Sequence, residues 1–409
     1  MALENEENVE LKDFKYIYEP EEDSFLILKS VKSFVKSEHS VLEIGTGSGI
    51  LANQASEVAK KVLAVDINKN AITLAKEKII KNNLEFKTSN LFSNVSGKFD
   101  VIIFNPPYLP EDKREPEDVA LATSGGKKGY ELPIKFLEQV SDYLNPDGLV
   151  LLLISSLTNP EIINQKIKDL LLDFEVVGKT HVSFEDLFVY KITKNDFRKY
   201  LEQKKITRLT KLTHGHRGFI HTGYLKNSTD DFEKKVAIKS QRNDVAAMGT
   251  VNNEITQLKV LNSVNIGPKL LFSGDNFFVY EFVEGKFIIP SIETSCKKNI
   301  FLILNNVFEQ MFVLDSKNLN KEEMHNPVKH VIVKPDCSIT LLDFERCKYN
   351  IKVHNVTQFC QFISSVKLSE VLLLKDIIFD KDKLIDLARE YSSNVSRESF
   401  DAILKEVNK

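Results

Sequence analysis

Residues 104 to 110, Phe-Asn-Pro-Pro-Tyr-Leu-Pro, place an amide, two proline rings and a phenol at the carboxyl end of an apolar run that begins at Phe99. The Asn105 side-chain oxygen and the Pro106 carbonyl can each accept one N–H, which matches the two donors of an NH2 group. Proline rings restrict the backbone and fix where those acceptors stand. Tyr108 offers a flat face on which a planar group can lie. An amide or aromatic amine nitrogen attacks poorly because its lone pair is delocalised. Accepting its hydrogens and aligning it with an electrophile is the chemistry this set supports, and alignment of this kind supplies much of a rate enhancement. Asn105, Pro106 and Tyr108 are the candidate catalytic residues, and Pro107 joins them as candidate substrate-binding residues.

The electrophile is suggested by two earlier segments. In Val-Leu-Glu-Ile-Gly-Thr-Gly-Ser-Gly, residues 41 to 49, an apolar strand leads into a turn where Gly45, Gly47 and Gly49 permit tight backbone angles and close approach to a ligand. Asp66 ends the next apolar run, about 20 residues on, where a carboxylate can bind ribose hydroxyls. The pair predicts a nucleoside-containing cofactor. A nucleoside sulfonium, S-adenosylmethionine, is already an activated methyl donor and needs no strong base beside the acceptor. Methylation of a planar exocyclic or side-chain nitrogen is the expected reaction.

A second constellation follows after residue 205. Gly215 and Gly218 lie in a hairpin suited to cover phosphates, Lys239 ends Val-Ala-Ile-Lys on a strand, Glu254 falls on the next helix, and Asp343 follows a short hairpin in Leu-Leu-Asp-Phe-Glu. Their order matches a phosphate lid, a phosphate-binding lysine, its glutamate partner and a magnesium-binding aspartate. ATP with magnesium is the expected ligand set, with Gly215, Gly218, Lys239 and Glu254 binding ATP and Asp343 the metal.

These residues need scaffolds. From Val41 to about Ile192 short apolar strands near 40–44, 62–65, 101–104, 149–154 and 187–192 alternate with amphipathic helices such as 70–82 and 130–144, which predicts an α/β, doubly wound, mostly parallel Rossmann-like sheet. Residues 194 to 205 turn polar and strongly charged and read as the boundary. Residues 206 to 285 read as a β-rich lobe with one helix near 249–263, and the rest as mainly helical apart from strands near 330–333 and 338–342. The last 40 residues carry helical apolar spacing in 368–379 and 383–391. The expected division is 1–197 for the first domain, 206–365 for a small bilobal α+β domain and 366–409 for its helical extension.

Composition bounds the rest. With 42% hydrophobic and 28% charged residues the chain is of globular type. Its acidic, polar first residues lack the pattern of a secretory signal, and the apolar runs fall well short of the roughly 20 residues of a membrane span, so a cytoplasmic, non-membrane protein is expected. Cys296, Cys337, Cys347 and Cys360 show no metal-type spacing and are expected as reduced thiols. Residues 1–199 hold 25 Lys/Arg against 32 Asp/Glu, and residues 200–409 hold 30 against 26. An acidic catalytic half argues against direct nucleic-acid binding, which rests on neutralising phosphates, and suits a basic protein substrate.

Residues 16 to 192 resemble the HemK-like glutamine methyltransferases, in particular the archaeal and eukaryotic branch that modifies class-1 translation release factors. The Asn-Pro-Pro-Tyr motif is shared with enzymes acting on adenine or guanine, whereas residues 16–28, Tyr-Ile-Tyr-Glu-Pro-Glu-Glu-Asp-Ser-Phe-Leu-Ile-Leu, and residues 125–140 are similar to that branch's own segments. The resemblance implies cofactor contacts at Ser24, Glu43, Gly45, Asp66, Asn90 and Leu91 and binding of the substrate amide by Asn105. Asn90 departs from the family's usual aspartate beside the adenine. It also implies a small zinc-binding activator protein as partner. Residues 206 to 365 resemble archaeal predicted serine/threonine kinases related to the atypical Rio and Bud32 kinases, most specifically in Glu-Glu-Met-His-Asn-Pro-Val-Lys-His-Val-Ile-Val, residues 322–333, and Leu-Leu-Asp-Phe-Glu-Arg-Cys, residues 341–347. That resemblance implies Glu323 as catalytic base and His330 near a metal-binding position. The chain departs from ordinary kinases in having Lys-Glu-Glu for the His-Arg-Asp triplet, Asp-Phe-Glu for Asp-Phe-Gly, and no Ala-Pro-Glu segment. The rivals are a nucleic-acid methyltransferase making N6-methyladenine or methylguanine, and a pseudokinase half that serves only as a docking module.

Overall fold

The structure, a computed structural model, describes residues 18–112, 114–214, 218–226, 232–241 and 250–409. Two compact units divide it, one reaching residue 210 and taking in 224–232, the other holding 211–223 and 233–409.

In the first unit the elements run α1 (Glu22–Phe34), β1 (Ser40–Ile44), α2 (Ile50–Ser56), β2 (Lys61–Asp66), α3 (Lys69–Lys78), β3 (Leu84–Thr88), β4 (Phe99–Phe104), α4 (Glu117–Thr123), α5 (Glu131–Tyr143), β5 (Leu144–Ser155), α6 (Pro160–Asp169), β6 (Leu172–Val182), β7 (Glu185–Lys194) and α7 (Asp196–Gln203). The seven strands form one sheet in the order β3-β2-β1-β4-β5-β7-β6. β3, β2, β1, β4 and β5 are parallel, while β7 runs antiparallel to both β5 and β6. Central strands are covered on both faces, which is why they read as mainly apolar runs, Glu43 of β1 being a buried exception. One face packs Leu42, Ile44, Ile102, Phe104 and Leu152 with Phe136 and Val140 of α5. The other packs Val41, Val62, Val101, Ile103 and Leu153 with Ile27 and Val31 of α1 and Leu51 and Ala55 of α2. This is the Rossmann-like, mostly parallel sheet expected. β1, β2 and β4 all end at one edge, and order reverses between β1 and β4, the place where open α/β sheets bind ligands.

Residues 194 to 205 differ from their sequence appearance. Their charge looks like that of a solvated connector, but α7 docks on the sheet through buried ions. Lys194 Nζ donates to Glu202 Oε2 at 2.6 Å and to the Leu144 carbonyl at 2.9 Å. Arg198 Nε meets Glu202 Oε1 at 2.9 Å while Nη1 reaches the Leu170 carbonyl at 2.5 Å.

Beyond residue 205 the fold is α+β. Strands β8 (Ile206–His214), β9 (Gly218–Lys226), β10 (Glu233–Gln241), β11 (Leu270–Gly274) and β12 (Phe277–Glu281) form a sheet in the order β11-β12-β10-β9-β8, with α8 (Thr250–Asn262) between β10 and β11 in the chain. There follow β13 (Lys286–Phe287), α9 (Ile288–Thr294), α10 (Lys297–Ser316), β14 (Leu319–Asn320), β15 (Val331–Val333), β16 (Ile339–Leu341), β17 (Lys348–Tyr349), α11 (Asn355–Ser364), α12 (Val366–Leu373), α13 (Lys381–Ser393) and α14 (Arg397–Val407). One apolar core joins α8 to α10, α11, α13 and α14, with Val307, Phe308, Phe359, Tyr391 and Phe400 at its centre. The helix expected over 368–379 stops at Leu373, and Asp376 takes a left-handed φ of 56°. All four cysteines are free thiols. Among the described residues no helix is long and apolar enough to cross a membrane.

Candidate functional site

The strand ends and their loops enclose a cavity of about 480 Å³ in the first unit, within the range of small-molecule sites. Its floor is the turn after β1. Gly45 and Gly47 have φ of 65° and 52°, a region glycine adopts without the penalty a side chain brings. Asp66, at the end of β2, clamps that turn: one carboxylate oxygen accepts from the Gly47 N–H at 2.8 Å and the other from the Asn68 N–H at 2.8 Å. Of the cofactor residues predicted from sequence, Ser24, Glu43, Gly45, Gly47, Asp66, Asn90 and Leu91 line this one cavity. Gly49 is not among the residues lining it. It precedes α2 with φ 83°, and a Cβ there would stand 2.7 Å from Ile79 Cδ1, so its smallness serves the packing of α2 against the segment after α3.

Asn105, Pro106, Pro107 and Tyr108 line the same cavity from the end of β4. The Asn105 Nδ2 donates to Asp23 Oδ2 at 2.9 Å and to Ser24 Oγ at 3.5 Å. A carboxylate only accepts, so the amide nitrogen must face α1 and the amide oxygen must face away from it. That oxygen is buried with no hydrogen-bond partner in the structure, and an orphaned buried acceptor awaits a donor. Asp23, which sequence reasoning did not single out, therefore sets the orientation of the residue it did. Tyr108 OH donates to Glu185 Oε1 at 3.4 Å from the start of β7.

The loop carrying these residues is held from behind. Leu109 N–H donates to the Thr123 carbonyl, Gly125 N–H to the Leu109 carbonyl and Glu111 N–H to the Gly126 carbonyl, each at 2.9 Å. A Cβ on Gly129, whose φ is 86°, would come within 2.3 Å of the Tyr108 carbonyl oxygen. This explains why a glycine-rich segment follows the loop at 125–129. Gly129→Ala is expected to displace Tyr108: strain at such a φ alone costs about 1–3 kcal/mol, and misplacing a reacting group by about 1 Å lowers turnover by about a hundredfold. Steady-state rates beside cofactor titration check it, with cofactor affinity expected to change far less than turnover.

Burial raises the Glu43 carboxyl to about 8, against the lowering effect of the Thr46 hydroxyl, which donates to it at 2.7 Å. In an unfolded chain the same group titrates near about 4.3. Between those values the folded form keeps a proton the unfolded form has lost, so its favourable contribution, complete below the lower value, falls as pH rises to about 8. Glu43→Gln is expected to melt near wild type at the acid end of that window and above it at the alkaline end. Melting curves across the window check this, and a pH-independent difference would contradict it.

The second predicted constellation also comes together, within the second unit. Lys239 Nζ lies 2.6 Å from Glu254 Oε2, 3.2 Å from Asp343 Oδ1 and 3.7 Å from Glu345 Oε2. Burial by itself would lower the Lys239 pKa, and these carboxylates more than offset it, so it stands above its ordinary value. His330 Nε2 lies 3.2 Å from Glu323 Oε2, and its Nδ1 3.9 Å from Asp343 Oδ2. Glu323 also accepts from Arg346 Nη1. A Cβ on Gly218 would stand 2.6 Å from the Ser240 carbonyl oxygen, so this glycine permits close approach of β9 and β10. Gly215 lies outside the described residues.

The sheet, the turn after β1 and the loop after β4 define the first unit as an S-adenosylmethionine-dependent methyltransferase of the Rossmann-like class, and the Methyltransferase small domain family matches residues 22–182. A protein of Methanocaldococcus jannaschii, provisionally named a protein N5-glutamine methyltransferase, is 44% identical over 188 residues, 45% of this chain and 94% of that one. Human methyltransferase HEMK2 is 31% identical over 44% of this chain and 92% of its own length. The Schizosaccharomyces pombe eRF1 methyltransferase catalytic subunit mtq2 is 31% identical over 34% and 72%. The chain belongs, through its first half, to the HemK/Mtq2-like family of S-adenosylmethionine-dependent methyltransferases.

Proposed function

We propose that the first unit methylates the side-chain amide nitrogen of a glutamine in a class-1 translation release factor. The observation that carries this reading is the Asn105 amide, its nitrogen engaged by Asp23 and its buried oxygen without a donor. A primary amide supplies two N–H donors, one for Asn105 Oδ1 and one for the Pro106 carbonyl, with its plane against Tyr108. Ser24, Glu43, Gly45, Gly47, Asp66, Asn90 and Leu91 hold the cofactor, which supplies an activated methyl carbon. With the cofactor bound, the amide nitrogen would accept the methyl group and lose one of its two protons to water. The names of the M. jannaschii and S. pombe relatives support glutamine and eRF1 as the substrate class. That the latter is called a catalytic subunit supports a separate activator protein as partner.

The test is competition between substrates. With labelled cofactor, label is expected in the release factor, and in neither DNA nor RNA oligonucleotides. Transfer to adenine or guanine instead would install the nucleic-acid reading.

The gathering of Lys239, Glu254 and Asp343 from positions far apart in the chain favours a second reading for the second unit: ATP bound with magnesium, Lys239 on the phosphates, Asp343 and His330 beside the metal, and Glu323 as base for transfer to serine or threonine. Magnesium-dependent ATP hydrolysis or autophosphorylation lost in Lys239→Ala supports it. ATP binding without either activity makes the unit a docking module.

A further inference from the structure

One peptide group in the second unit is gripped at both ends by buried side chains of opposite charge. The Asp343 carbonyl accepts from Lys321 Nζ, and the Phe344 N–H donates to Glu254 Oε1 at 3.1 Å. The other Glu254 oxygen takes Lys239 at 2.6 Å, and Lys239 in turn reaches Asp343 Oδ1 at 3.2 Å. Asp343 stands at φ 64°, in the left-handed region that a side chain rarely occupies without such support.

Lys321 is only 2% exposed, and its ammonium stands 4.9 Å over the Phe344 ring. Among the described residues none of its hydrogen bonds or ion pairs is to a carboxylate, the one recorded partner of Nζ being the Asp343 carbonyl. A neutral donor would satisfy a carbonyl without burying a charge, and buried charge is expensive unless it serves an anion. The anionic groups around it, Asp343, Glu254 and Glu323, are the ones named for the nucleotide site.

We propose that Lys321 is a positioning residue for a site taking a nucleoside triphosphate with a divalent cation: it holds the 343–344 peptide so that the Asp343 carboxylate is presented to the metal. This rests on the ATP reading of the second unit. A shift of Asp343 away from that orientation takes its carboxylate from the metal while leaving Lys239, held by Glu254, to meet the phosphates, so metal-dependent and metal-independent binding separate.

The experiment titrates the full chain with ATP, with and without manganese, following bound manganese by electron paramagnetic resonance. Wild type is expected to bind manganese–ATP and Asp343→Asn to lose the metal-dependent part. Lys321→Met is expected to weaken manganese–ATP about tenfold or more, as for one lost charge-assisted bond, with metal-free ATP affinity within about twofold. Lys321→Arg is expected to recover part of the loss, and hydrogen exchange at the Phe344 amide to rise in the methionine variant. Manganese–ATP binding unchanged in Lys321→Met, beside a loss in Asp343→Asn, overturns the role of Lys321 and leaves the ATP reading standing. Should the methionine variant fail to fold, the arginine variant decides, and loss of metal-free and metal-dependent binding in equal measure there overturns the positioning role. No manganese–ATP binding by wild type overturns the ATP reading and this proposal with it.

Discussion

Asn105→Ala is expected to reduce methyl transfer by at least about a hundredfold, the scale of a misplaced reacting group, while cofactor affinity stays within about twofold. The expectation follows from the division of labour in the cavity. Asp66 and the glycine turn are bound to each other at one end, and Asn105 hangs from β4 at the other, tied to α1 through Asp23. Alanine there removes the orphaned acceptor and leaves the turn untouched. Asp23→Ala is the companion variant: Asn105 remains but loses the partner that fixes its orientation, so turnover is expected to fall by less than in Asn105→Ala, again with cofactor affinity nearly retained. Rates paired with calorimetric titration of cofactor check both. Asn105→Ala activity within about tenfold of wild type would contradict the assigned chemistry.

Glu202→Ala is expected to cost the first unit about 3–5 kcal/mol, the loss typical of stripping a partner from buried charges. The Lys194 and Arg198 side chains are 0% and 3% exposed, and Glu202 is the carboxylate recorded for both. Burial already pulls the pKa of each cation below its ordinary value. Without Glu202 each keeps a recorded hydrogen bond to one carbonyl and loses its ion-pair partner. Asp147→Ala is the control, since Asp147 is 90% exposed in its pair with Lys199 and such pairs contribute about 1 kcal/mol or less. The melting transition that S-adenosylmethionine raises marks the first unit, and its shift measures the effect. Equal shifts in the two variants would contradict the picture of α7 as a buried strap.

The contrast between these sites shows what a sequence displays. β2, β4 and β5 were legible because a strand covered on both faces is nearly continuous in apolar residues, and β1 because apolar residues flank its one buried acid, Glu43. β3 and β6 were not: they lie at the two edges of the sheet, where β3 buries Phe86 alone and Val176 of β6 is half exposed. The Asn-Pro-Pro-Tyr loop was legible because its chemistry sits in adjacent residues. Asp23 was hidden inside an acidic run, Glu21-Glu22-Asp23, that looks like solvated charge, and only the fold brings it to Asn105, 82 positions later. The burial of the α7 charges was hidden for the converse reason, since a buried ion pair and a solvated one have the same composition. Gly49 and Gly129 show a similar limit: Gly49 read as a turn residue and Gly129 only as part of the segment 125–140, whereas a side chain on either would meet Ile79 in one case and the Tyr108 carbonyl in the other. Lys321 drew notice only as a departure in the Lys-Glu-Glu triplet, because nothing local marks a lysine whose partner is a backbone carbonyl 22 residues on.

The central claim is that the acceptor atom is a glutamine side-chain nitrogen, and tandem mass spectrometry of a class-1 release factor, methylated by the chain in the presence of its activator, tests it most directly. The account predicts one added methyl group, located by fragment ions on a glutamine side chain and released by acid hydrolysis as methylamine, and no such product with Asn105→Ala. A methyl group located on a lysine, an arginine or the backbone, or one that still forms with Asn105→Ala, would contradict it.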